Sequence, residues 1–161
     1  VLYRISFVCT GNICRSPMAA SVCRAQVAER GLGDRVAVDS AGTDGWHEGE
    51  PADPRAEAVL AAAGYGTAHR ARQFQAEWFE RYDLVVALDQ GHLRRLRRLA
   101  PSAGHAARVR LLRSWDPAAS GDGDLDVPDP YYGDEAGFTD CLKLIEAAMP
   151  GLLDEVEAGL P

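Results

Sequence analysis

Apolar positions along the chain fall into short runs separated by longer amphipathic stretches. Tyr3 to Cys9, with Ile5, Phe7 and Val8, reads as a strand. From Ser16-Pro17 to about Arg30 the chain is Ala-rich and helical, with Pro17 early enough to be tolerated, and Gly31 and Gly33 end it. Val36 to Ser40 predicts a second strand. Asp53 suits an N-cap and Pro54 the first helical position, for a helix over Arg55 to Ala63 that ends at Gly64. The continuous apolar run Leu84 to Leu88 predicts a strand covered on both faces. Asp89 then opens a helix through Leu99, closed by Pro101. Within it Leu93, Leu96 and Leu99 predict a buried stripe, with the intervening arginines on the solvated face. Val109 to Leu112 is a fourth strand, 113–133 a long loop rich in Asp, Pro and Gly, and Asp134 to about Gly159 a last helix, bent at Pro150.

Strands alternating with helices predict an α/β fold, a parallel sheet with helices on both faces, in one domain over 1–161. In such sheets ligands sit beyond the carboxyl ends of the strands, which directs attention to the turn after the first one.

Charge and composition narrow the classes. A formal net charge of −7 over 161 residues argues against nucleic acid as a partner. No apolar stretch is long enough to span a membrane, and Val1-Leu2-Tyr3-Arg4 is not a secretory signal. Cys9, Cys14, Cys23 and Cys141 follow no disulfide or zinc spacing, so a reduced, cytoplasmic setting is expected. Cys23 and Cys141 read as buried apolar residues on helices. Asp122-x-Asp124-x-Asp126 resembles the opening of a calcium loop, but Val127 and Gly133 stand where Gly and Glu are required, and no metal is expected.

The first turn reads Cys9-Thr10-Gly11-Asn12-Ile13-Cys14-Arg15-Ser16. Five residues between Cys9 and Arg15 can curl so that backbone N–H groups converge on one point, and the following helix adds its positive end, making a nest for phosphate. Gly11 and Asn12 suit the unusual backbone angles this needs. Arg15 offers a planar fork for two phosphate oxygens. The same field favours the thiolate of Cys9, the attacking form. Ser16 is placed to donate a hydrogen bond to that sulfur as it leaves. The competing reading is a buried cysteine in a glycine turn.

Expelling an alkoxide or phenoxide also needs a proton donor. Val127-Pro128-Asp129-Pro130-Tyr131-Tyr132-Gly133 supplies one in Asp129, aimed by a proline on each side. Tyr131 and Tyr132 could stack on an aromatic leaving group.

The two motifs together, in this order, resemble the low-molecular-weight protein tyrosine phosphatases over essentially the whole chain. The resemblance implies a four-stranded parallel sheet, no metal and no organic cofactor. It implies a phosphocysteine intermediate on Cys9, with Asp129 as general acid and then general base. Asp39-Ser40-Ala41-Gly42 and Thr67-Ala68-His69-Arg70-Ala71 match family segments whose Ser and His brace the loop Asn, here Ser40, His69 and Asn12. Trp46, in the variable segment Gly45-Trp46-His47, is either an aromatic wall of the pocket or an unrelated packed residue. The resemblance further implies phosphotyrosine proteins as substrates, inhibition by phosphate and vanadate, a monomer, and a Cys9–Cys14 disulfide under peroxide. Arsenate reductases share the scaffold but need cysteines that residues 60–100 lack. Phosphoarginine phosphatases carry Thr where Ile13 stands and lack the tyrosine pair. A non-catalytic phosphotyrosine-binding module would be expected to lose Cys9 or Asp129.

Overall fold

The computed structural model describes residues 1–119 and 124–161; Asp122 of the rejected calcium-loop pattern lies outside them. Strands β1 (Tyr3–Cys9), β2 (Val36–Gly42), β3 (Leu84–Ala87) and β4 (Val109–Leu111) form a sheet in the order β2-β1-β3-β4, with every pairing parallel. The helices are α1 (Arg15–Glu29), α2 (Pro54–Ala62), α3 (Gln90–Leu99), α4 (Ala103–Ala106) and α5 (Glu135–Ala158), with 3-10 turns at Ala76–Arg81 and Leu112–Trp115. This is the α/β class the alternation of elements predicts.

Side chains alternate across each strand and so feed two cores. Ile5, Phe7 and Cys9 of β1, with Leu84 and Val86 of β3, pack into a layer built from α1, α2 and α5. Val8, Val85 and Ala87 face the opposite layer, with Leu93 and Leu96 of α3, Phe79 of the first 3-10 turn, and Phe74 and Tyr82 beside it. β1 is central and hydrogen-bonds on both edges, which fixes the position of whatever follows Cys9.

Three helix starts are set by local chemistry. Asp53, Asp89 and Asp134 each accept a hydrogen bond from a first-turn backbone N–H, of Arg55, His92 and Gly137 respectively. α5 runs as one element with Pro150 inside it.

One expectation fails. Leu99 is 42% exposed, so the buried stripe of α3 is not Leu93, Leu96 and Leu99 but His92, Leu93 and Leu96. At 3.6 residues per turn, six residues carry Leu99 about 120° around the helix from Leu93, whereas 92, 93 and 96 share a face. The arginines are all exposed, as expected, and two of them also reach back: Arg95 to Asp44 and Arg97 to the Val109 carbonyl. The 3-10 turn at Ala76–Arg81 and the four-residue α4 lack a periodic signature and have no counterpart in the sequence reading.

Candidate active site

The turn between β1 and α1 is held from outside by its carbonyls. The Cys9 carbonyl accepts from Thr43 N at 2.8 Å, Thr10 from Asp44 N at 3.0 Å, Ile13 from Asp53 N at 2.8 Å and Cys14 from Met18 N at 3.2 Å. The Asn12 carbonyl accepts from His69 Nε2 at 2.6 Å. In a trans peptide the N–H of the next residue points opposite to the carbonyl, and the described residues contain no cis bond. The N–H groups of Thr10, Gly11, Ile13, Cys14 and Arg15 are thereby turned to the inner side of the loop, the arrangement an anion nest requires.

Asn12 sits at φ 59°, the left-handed region, and is fully buried. Its strain is met by a closed set of contacts. Its side-chain amide donates to Ser16 Oγ at 2.8 Å and Ser40 Oγ at 2.9 Å, and its Oδ1 accepts from Arg72 N at 3.0 Å. His69 donates through Nε2, since a carbonyl can only accept; burial, then the neighbouring cations, lower its pKa and favour the neutral ring. Gly42 lets the strand end approach: a Cβ there would stand 2.5 Å from the Thr10 carbonyl and 3.1 Å from Asn12 N.

Cys9 Sγ lies 2.9 Å from Ser16 Oγ, and the cysteine is only 3% exposed. Because Ser16 Oγ already accepts from Asn12, its own proton is available to the sulfur or to the Ala41 carbonyl, 3.3 Å away. Arg15 is 3% exposed, with Nη1 held by Asp89 Oδ2 at 2.8 Å and the Val127 carbonyl at 2.9 Å. Its Nη2 lies 3.7 Å from Asp129 Oδ2. The α5-side loop therefore delivers Asp129 to the guanidinium from more than a hundred residues away in sequence. The Tyr131 N–H donates to Asp129 Oδ1 at 3.0 Å and fixes the carboxyl's orientation.

These groups line a cleft of about 200 Å³, which also takes in Gly11, Ile13, Cys14, Trp46, His47, Tyr131 and Tyr132. Its floor is buried, whereas Trp46 is 74% and Tyr132 89% exposed at the rim. Tyr131 and Tyr132 meet edge to face with centroids 5.1 Å apart. Trp46 thus stands at the pocket wall. Cys14 is also buried; burial, then Asp53 and Cys9, push its thiol well up. Cys23 and Cys141 are buried on helices, and burial pushes both thiols up to about 12.

Four contributors escape the sequence reading. Asp89 reads there only as a helix cap, yet it anchors Arg15. Burial opposes its ionisation, but the His92 N–H, His92 itself and Arg15 outweigh that and lower its pKa. His92 is 4% exposed and bonds Thr10 Oγ1 through Nε2 at 2.8 Å, tying the loop to α3. His47 lies against Gly11, where a Cβ would meet its ring at 2.9 Å. Arg55 pairs with Asp53 and donates to the carbonyls of Tyr131 at 3.0 Å and Gly133 at 3.1 Å, so the start of α2 braces the acid loop. Its guanidinium also lies over the rings of Tyr131 and Phe138.

Burial, then Arg15, push the pKa of His92 down to about 4. An unfolded histidine titrates near pH ~6.5. Between the two values the unfolded chain binds a proton the folded chain refuses, so stability present above the upper value is lost as pH falls toward the lower. The slope is on the order of 1 kcal/mol per pH unit. The urea midpoint should drop between pH 7 and pH 5, and His92→Gln should flatten the drop. An unchanged slope in that variant would assign the effect to another group.

The family model "Low molecular weight phosphotyrosine protein phosphatase" matches residues 4–160. A low molecular weight protein-tyrosine-phosphatase of Streptomyces coelicolor is 69% identical over 154 residues, 96% of this chain and 93% of that protein. Low molecular weight protein-tyrosine phosphatase A of Mycobacterium tuberculosis is 54% identical over 156 residues, 97% and 93% of the two chains. The crystal structure of a protein tyrosine phosphatase from Entamoeba histolytica superimposes with a TM-score of 0.90 at 31% identity, covering 98% of each chain.

Proposed function

The chain belongs to the low-molecular-weight phosphotyrosine protein phosphatase family, a group of cysteine-based hydrolases, and on that footing we propose how its own residues divide the reaction. Cys9 attacks phosphorus as a thiolate and takes the phosphoryl group. Asp129 gives its proton to the departing phenolic oxygen. The same carboxylate then removes a proton from the water that attacks phosphocysteine, and Ser16 stabilises the sulfur as it leaves. Arg15 and the inward N–H groups of the loop hold the equatorial oxygens, where charge is concentrated in the transition state. Ser40 and His69 act at one remove, by keeping Asn12 in its left-handed conformation. Cys14, which lines the same cleft as Cys9, serves as the thiol that captures an oxidised Cys9.

The observation that carries this reading is the placement of Asp129 against Arg15 in a cleft that Cys9 also lines. The reaction calls on no metal or organic cofactor. The substrates are phosphotyrosine-containing proteins, and phosphate and vanadate compete for the loop. The enzyme acts as a cytoplasmic monomer; no helix among the described residues is long and apolar enough to cross a membrane.

The buried floor and aromatic rim select for a long, flat stem. A phosphoserine side chain would leave its phosphorus short of Cys9, and a misplacement of this kind costs about 10²-fold or more. Specificity constants for matched phosphotyrosine, phosphoserine and phosphoarginine peptides test this. Phosphotyrosine should exceed phosphoserine by at least that factor and should lead phosphoarginine. Parity with phosphoserine would contradict the depth of the pocket, and a lead for phosphoarginine would favour the rival activity on this scaffold.

A further inference from the structure

α3 carries Arg94, Arg95, Arg97 and Arg98 and no acidic residue, in a chain whose formal net charge is −7. The four arginines do different work. Arg97 donates to the Val109 carbonyl at 3.0 Å. Arg95 pairs with Asp44 at 2.9 Å and so steadies the segment that leads to Trp46. Arg94 and Arg98 are one turn apart and exposed, with no ion-pair partner among the described residues. Beside them lies a groove of about 360 Å³ whose wall includes Thr10 and Thr43. Thr10 also lines the catalytic cleft, so groove and cleft share a wall residue. Arg95, Arg98 and Thr43 border a further hollow of about 420 Å³ along the same helix.

From this we infer that the α3 arginine face receives acidic residues flanking the phosphotyrosine of a protein substrate, on the side that leaves the cleft past Thr10 and Thr43. The inference rests on the tyrosine-phosphatase reading above. Charge complementarity carries it: two guanidinium groups without an ion-pair partner among the described residues border a groove that shares Thr10 with the reaction site. Asp89 also borders the groove, but its carboxylate is engaged by Arg15 and by the His92 N–H. A polyanion such as nucleic acid, or an anionic membrane, would meet the negative remainder of the molecule as well. A short acidic segment already tethered by its phosphotyrosine meets only this face. Ten helical residues span about 15 Å, and an extended peptide advances about 3.3 Å per residue. The face therefore matches acids within about five residues of the phosphotyrosine.

The test compares phosphotyrosine peptides with Asp or Glu on one side, on the other side, or on neither, in wild type and in the Arg94→Ala/Arg98→Ala double variant. Arg95 is left intact because it braces the loop. Wild type should prefer peptides acidic on one side in KM rather than kcat, and the preference should shrink with added salt. The double variant should lose roughly three- to tenfold in kcat/KM on those peptides, with p-nitrophenyl phosphate turnover and neutral peptides unchanged. Wild-type indifference to acidic flanks, or an equal loss on neutral peptides, would overturn the docking face. Absence of turnover on p-nitrophenyl phosphate in the wild type would instead count against the underlying reaction, so the two failures are distinguishable.

Discussion

With serine at position 9, turnover of phosphate monoesters should fall to background, a loss of roughly 10⁴–10⁶-fold, while the loop still holds inorganic phosphate or vanadate. The loss follows from the nucleophile: a thiol can be driven to its thiolate beside five converging N–H groups and a guanidinium, whereas a hydroxyl stays protonated there. Retained binding follows from what builds the nest. Its donors are backbone groups set by the carbonyl partners Thr43, Asp44, Asp53, Met18 and His69, none of which changes when sulfur becomes oxygen. Single-turnover assays paired with calorimetric titration of vanadate separate the two effects. Activity within tenfold of wild type would rule out covalent catalysis at Cys9. Loss of vanadate binding would show that the sulfur, not the backbone, organises the loop.

Asp129→Asn should lower kcat/KM by about 10²–10⁴-fold for aryl phosphates with poor leaving groups and far less for those with good ones. Asparagine keeps the volume and can still accept from the Tyr131 N–H through its oxygen, so the acid loop retains its shape. What disappears is the transferable proton, and that matters most where the departing oxygen is most basic. A plot of log kcat/KM against leaving-group pKa should become markedly steeper in the variant. Parallel lines would take Asp129 out of the acid role, and the proton source would have to be sought elsewhere in the cleft.

The parts of this site that could be read from the sequence are those whose chemistry is written in adjacent residues. The phosphate loop is contiguous, lies between an apolar strand and a helix start, and carries its own nucleophile, arginine and serine. The acid announces itself through two prolines and two tyrosines. The strands could be read because both faces of the sheet are covered, which concentrates apolar residues into short runs. The supports were less legible because their partners are remote in sequence. Asp89 is 74 residues from Arg15, and His92 is 82 from Thr10; each had a sufficient local reading, as a helix cap and as a residue on an arginine-rich helix. Arg55 looked like an ordinary early helix residue, although its guanidinium holds the acid loop 76 residues away. Leu99 departs from the expected stripe for a different reason: a spacing of three mimics a helical stripe over one turn and drifts off it over two.

The closed set of bonds around Asn12 has a consequence for how this enzyme loses function. The nest is pinned at once by the exit of β2, by the 69–72 segment, by the start of α2 and through His92 by α3. Its geometry therefore belongs to no single local segment. A fluctuation that frees only the loop must break several buried bonds, while one that spares them leaves the catalytic geometry whole. The phosphate-binding nest is thus tied to several elements at once, and a fluctuation confined to one of them leaves its other ties in place. Substrate arrives at a cradle already rigid, so little ordering remains to be done on binding, and the aromatic rim around Trp46 and Tyr132 is left as the adaptable part of the encounter.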